Sequence, residues 1–167
     1  MAAGITDKQL RHRDVVRLSR DTYLPRALVG ELRTRLPALL LTAPAGTVVS
    51  YGTAAAVWGI EIPLQSSNER RADLTVPRAS RAENRPDRRI HRADLPADDV
   101  LVRWDLPVTT PARTWRDLAG VLPPPALLAV TDQLLDGRCT HGDLERQLVR
   151  RPKGRGAARA REVLPVA

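Results

Sequence analysis

The chain has 167 residues and a formal net charge of +8, a length that suits one domain, or one domain with an added fragment, and can bury a substantial core. Phenylalanine is absent and aromatic residues make up only 3% of the chain, so the core must be Leu, Val and Ala with three tryptophans as anchors. The one cysteine, Cys139, excludes an intramolecular disulfide and fits a reducing cytoplasm; no apolar run approaches the roughly 18 residues of a membrane span, and no basic-then-apolar signal opens the chain.

Ile5 to Arg11 reads as a short helix, with Thr6 as N-cap and Gln9 at capping-box spacing. Arg13 to Leu24 reads as two short strands turning at Arg20-Asp21. A short basic helix followed by a basic hairpin is how a winged helix-turn-helix ends, although no earlier helix precedes this one to brace it. A plain helix-hairpin cap on the following domain is the competing reading. Arg26 to Leu41 carries leucines at helical spacing, with Pro37 expected to kink or split the helix.

Thr47 to Ile60, TVVSYGTAAAVWGI, is the central unit. Three β-branched residues predict a buried strand, Ser50 a helix cap, and the alanine run ending in Trp58 a helix buried on most sides. Gly59 ends it, because glycine takes the left-handed conformation cheaply. Residues 61–72 are polar and loop-like, Asp73 to Pro77 is a short strand, and residues 78–89 form a charged loop. Ile90 to Ala93 and Val100 to Trp104 are further strands; Asp98-Asp99 between them reads as a turn with solvated carboxylates.

Pro107 to Leu122 is the second informative stretch. Thr110 caps a helix with Pro111 at its first position, and Ala112, Trp115, Leu118, Ala119 and Leu122 form its apolar stripe. Arg113 and Asp117 stand four apart and can pair on one face. A polar site of Arg113, Thr114 and Asp117 is one reading; an ordinary helix-surface ion pair is the plainer one. Helices are expected at Pro125 to Leu135, with Leu127, Val130 and Leu134 inward, and at Thr140 to Leu148, where Thr140 and Asp143 form an acidic capping box. Gly156 to Leu164 reads either as a helix or as a frayed tail.

Charge is distributed unevenly: residues 1–46 carry 8 basic and 4 acidic side chains, 93–145 carry 4 and 9, and 146–161 carry 7 basic and none acidic. Basic ends around an acidic middle fit nucleic-acid contact at the ends, with Lys8, Arg11, Arg13, Arg17 and Arg20 nearest a recognition helix and wing. Against this stands arginine richness that reflects composition alone. No catalytic residue and no metal site is assigned, because His12, His91 and His141 are scattered and Cys139 with His141 gives only two ligands. Glycine-rich phosphate loops and nucleophile elbows are absent from the sequence, and no cofactor is implied.

In order, GITDKQLR, VVRLSRDTYLP, VVSYGTAAAVWGI, DLTVP, IHRADLP and LPVTTPARTWRDLA resemble the AbiEi-type antitoxin family of type IV toxin–antitoxin systems, in its actinobacterial form. The resemblance implies a winged helix-turn-helix, here without its early helices, leading into an antitoxin-like domain, and no Vsr-like endonuclease domain after it. It implies repression of the protein's own operon and a nucleotidyltransferase-like toxin as partner. The expected fold is α+β, with a partial winged helix over 1–25, a mixed α/β domain with a small sheet and C-terminal helices over 26–150, and a basic tail or terminal helix over 151–167. The expected function is a non-enzymatic, cytoplasmic antitoxin-like regulator that binds DNA weakly. Two alternatives are an accessory DNA-binding module of a Vsr-like endonuclease and, less supported, an enzyme using Arg113 and Asp117.

Overall fold

A computed structural model describes residues 5–19, 22–63 and 71–167. Helix α1 (Asp7–Leu10) is one turn long and closed by the expected capping box: the Gln9 N–H donates to Thr6 Oγ1, and Gln9 Oε1 accepts the Thr6 N–H at 2.8 Å. Strands β1 (Val15–Ser19) and β2 (Thr22–Pro25) pair antiparallel, with Arg17 opposite Tyr23. The turn expected at Arg20-Asp21 lies outside the described residues. Thr22 is buried and ties the hairpin to the body, its Oγ1 lying 3.3 Å from that of Thr42.

The helix expected over 26–41 breaks, but not at proline. A 3-10 turn (Arg26–Leu28) is followed by α2 (Leu32–Leu41), and Pro37 sits inside α2. The break falls at Gly30-Glu31. Pro37 withholds only one donor, the one that Arg33's carbonyl would take, while buried Leu36 and Leu39 hold the helix on the sheet.

The five-stranded sheet runs β5-β4-β3-β7-β6, made of β3 (Val48–Val49), β4 (Ala72–Val76), β5 (Arg88–Arg92), β6 (Val100–Arg103) and β7 (Leu106–Thr109). It is mixed: β3 pairs antiparallel to β4 and parallel to β7, β4 pairs parallel to β5, and β6 pairs antiparallel to β7. The two-residue β3 is central, and every residue of β4 is buried. Strand β7 escapes the sequence reading because Pro107 lies within it. The β6–β7 turn is closed by Trp104 and Asp105, both at positive φ (54° and 60°), the backbone that a two-residue hairpin turn requires.

From β3 the chain enters α3 (Tyr51–Val57). Ser50 occupies the N-cap position but makes no side-chain capping bond; its Oγ accepts instead from Thr75 Oγ1 on β4 at 2.8 Å. The helix is less enclosed than its alanines suggest, since Ala56 is exposed and Trp58 only half-buried. Trp58 is held at its rim, where Nε1 donates to the Thr109 carbonyl at 2.8 Å and the Arg103 guanidinium lies 5.0 Å from its ring. Helices α4 (Pro111–Leu118), α5 (Pro124–Leu135), α6 (His141–Arg150) and α7 (Ala157–Val163) share a second core around Trp115, which is fully buried. Its Nε1 donates to Thr131 Oγ1 at 2.9 Å, so the indole's polar atom is satisfied inside that core.

Candidate functional site

Thr110 caps α4 by accepting the Arg113 N–H, and Pro111 takes the first helical position. That cap orients the Arg113–Asp117 pair, and the pair is buried, which corrects the plainer surface reading. Arg113 and Asp117 expose 2% and 9% of their side chains. Arg113 Nε donates to Asp117 Oδ1 at 2.9 Å, and Nη1 donates to Asp99 Oδ2 at 2.8 Å. Asp99 is also no solvated turn residue. It is buried, and its other oxygen accepts from Gln147 Nε2 of α6 at 2.7 Å. Thr114 faces elsewhere: its Oγ1 lies 2.8 Å from that of Thr109 at the end of β7. The structure therefore joins Asp99 and Asp117 through Arg113 and leaves Thr114 out.

Burial opposes the charge on Arg113, but two carboxylates outweigh it and hold the guanidinium pKa above its ordinary value. Burial raises the Asp117 carboxyl, with Arg113 pulling the other way. Asp117 Oδ2 has no hydrogen-bond partner.

Asp117 borders a cavity of about 570 Å³ between β4, β5, the start of α3, α4 and the α6–α7 loop. Tyr51 opens α3 at φ 49°, a left-handed backbone that costs a non-glycine residue on the order of 1–3 kcal/mol and collects at functional sites. Its ring stacks on His91 with centroids 3.7 Å apart. His91 Nε2 lies 2.9 Å from Asp73 Oδ1, which also accepts from Arg89 at 3.3 Å. Burial raises the Tyr51 phenol pKa, and the Asp117 charge adds to the effect.

Six further arginine or lysine side chains line this cavity or close its buried floor, among them Arg92, Arg116, Arg151, Lys153 and Arg155. Arg116 is buried, and its two terminal nitrogens donate to the Arg155 and Arg151 carbonyls at 3.0 and 3.2 Å while Nε stays unpartnered. Burial lowers the Arg116 pKa. Sequence reading missed Tyr51, Asp73, His91 and Arg116; only the R-P-K-G-R-G run at 151–156 carried a visible cue, and its partner Arg116 stands 35 residues upstream.

The residues assigned to DNA lie elsewhere. Lys8, Arg11, Arg13 and Arg17 are exposed on α1, the loop after it and β1, with the Arg17 guanidinium 5.7 Å from the Tyr23 ring centre; Arg20 lies outside the described residues. Among the described residues no helix is long and apolar enough to cross a membrane, and no three His, Cys, Asp or Glu side chains gather as a metal site.

No curated protein and no solved structure matches the chain. A family model does: the AbiEi antitoxin C-terminal domain, over residues 44–166, a span that takes in the whole five-stranded sheet, the cavity and the Trp115 core. On that match, the chain belongs to the AbiEi antitoxin C-terminal domain family.

Proposed function

We propose that this protein is the antitoxin of a type IV toxin–antitoxin pair, acting in the cytoplasm without catalysis against a nucleotidyltransferase-like toxin, and that residues 1–25 add a DNA contact to the antitoxin body of 26–150. The family match over 44–166 carries the reading.

The N-terminal unit supports the DNA contact. Its exposed cations sit on a capped helix and a hairpin, where they can meet phosphates that position a protein without reading sequence. One helical turn advances only about 6 Å along its axis, too little to read several base edges in a groove. The duplex binding proposed is therefore weak, salt-sensitive and nearly indifferent to sequence.

Co-expression tests the antitoxin role. The chain should restore growth to cells making the nucleotidyltransferase-like protein encoded beside it. Unrelieved toxicity with both proteins soluble, or the lack of any such neighbouring gene, overturns the reading.

A further inference from the structure

The cleft beside α4 has a charge imbalance that the antitoxin reading does not use. Its two carboxylates are already engaged, Asp73 by Arg89 and His91, and Asp117 by Arg113. Among the described residues no carboxylate comes within 4 Å of Arg92, Arg116, Arg151, Lys153 or Arg155. Arg92 is anchored instead by the carbonyls of Ser80 and Ala82, which leaves its charge uncancelled.

Arg116 is the sharpest case. A guanidinium 5% exposed is costly without a directly paired opposite charge, and this one hydrogen-bonds only to the carbonyls of the loop above it, with the Asp117 charge acting on it without a bond. Those bonds bend the loop over the cleft and hold Arg151, Lys153 and Arg155 at its border. The loop's course is fixed at its far end by Gly156, at φ 81°, where a Cβ would stand 2.2 Å from the Ala119 backbone. The cations are thus presented by a backbone with one permitted course.

We propose that this cleft binds the polyphosphate group of a small molecule, with Arg116 at its floor and Arg151, Lys153 and Arg155 at its mouth. Several cations converging on one concave site match several linked negative charges better than one, and guanidinium groups suit phosphate oxygens through paired, charge-assisted hydrogen bonds. The volume, about 570 Å³, falls within the range of small-molecule sites and admits a group no larger than a nucleotide. Inorganic polyphosphate and a nucleoside polyphosphate share this chemistry.

Calorimetric titration of the full chain at about 0.15 M salt separates the possibilities, with inorganic pyrophosphate, tripolyphosphate, a nucleoside triphosphate, orthophosphate and sulfate as probes. Pyrophosphate and tripolyphosphate should bind at least tenfold more tightly than orthophosphate or sulfate. Tighter binding of the nucleoside triphosphate than of tripolyphosphate identifies a nucleoside ligand, and equal or weaker binding identifies the phosphate chain alone; both support the site. Lys153→Ala/Arg155→Ala, on exposed positions of the loop, should weaken pyrophosphate binding tenfold or more with an unchanged melting temperature. Arg13→Ala/Arg17→Ala, on the distant hairpin, should bind it as the parent does. The proposal is overturned if sulfate binds as well as pyrophosphate, if the loop variant binds normally, or if a short DNA duplex displaces pyrophosphate and loses affinity in the loop variant, since the cleft is then a groove for nucleic acid.

Discussion

Arg113 shows how much of one residue's role is visible in its neighbours along the chain. The four-residue spacing to Asp117 was legible, and the bond is there. Its burial was not legible, because the partner that draws Arg113 inward, Asp99, comes from the turn before β6, and Gln147 completes the arrangement from α6. Breaking a buried pair strands the remaining charge, at about 3–5 kcal/mol, where an exposed pair would lose under about 1. Arg113→Ala should therefore lower the denaturation midpoint by the larger amount in a urea titration, and a loss under about 1 kcal/mol would return the pair to the surface reading. Trp115→Ala should cost a similar amount, about 3–5 kcal/mol, whereas half-buried Trp58 should cost less on truncation. Cys139 makes a chemical prediction. Burial raises its thiol to about 11, so at pH 8 the reactive thiolate is scarce. Iodoacetamide at pH 8 should modify Cys139 at least tenfold more slowly in the folded chain than in urea; equal rates would show that the thiol is not shielded.

At the scale of elements, local chemistry was read well where it was self-contained. The capping boxes of α1 and α6 and the Thr110-Pro111 start of α4 all stand as their spacings implied. Elements defined by distant contacts were not legible. Ser50 looks like a cap and bonds to β4, Pro37 looks like a breaker and is tolerated, and β7 is a strand only because β3 and β6 flank it. The α6 cap yields a pH prediction. Hydrogen bonds from Thr140 hold the Asp143 carboxyl below the usual carboxylate range, with Arg146 adding to the effect. A depressed folded-state pKa gives stability that is present above the unfolded value, near 4, and is lost as pH falls through the lowered folded value. Thr140→Ala should cost about 1 kcal/mol at pH 7 and progressively less in melts at pH 3 and below. A cost independent of pH would mean that the carboxylate adds nothing to the cap. At the start of α7, Gly156→Ala combines a left-handed backbone with a Cβ inside the Ala119 carbonyl, so this small substitution should be more damaging than the loss of the cap.

The whole molecule settles how the basic C-terminal stretch can be tested. Its composition suggested either a helix or a frayed tail; the structure makes 157–163 a helix whose Ala157, Ala160 and Val163 are buried, and Ala160 and Val163 pack in the core around Trp115. The arginines of this stretch alternate with an apolar face of small residues, and it is that face, not the charge, that decides for the helix. Ending the chain near Leu148 would therefore remove part of that core along with the charge, and lost DNA binding would report unfolding. Neutralising side chains while keeping α7 separates the two effects. Affinity for a short duplex, measured by fluorescence anisotropy between about 50 and 200 mM salt, should fall linearly with log salt. Each lost phosphate contact should reduce that slope by about one. Arg13→Ala/Arg17→Ala should thus flatten the slope by about two, while Lys153→Ala/Arg155→Ala leaves it unchanged. The reverse pattern would move the nucleic-acid contact from the hairpin to the α6–α7 loop, and a duplex unbound at 50 mM salt would mean that the net charge of +8 reflects composition and has no part in holding DNA.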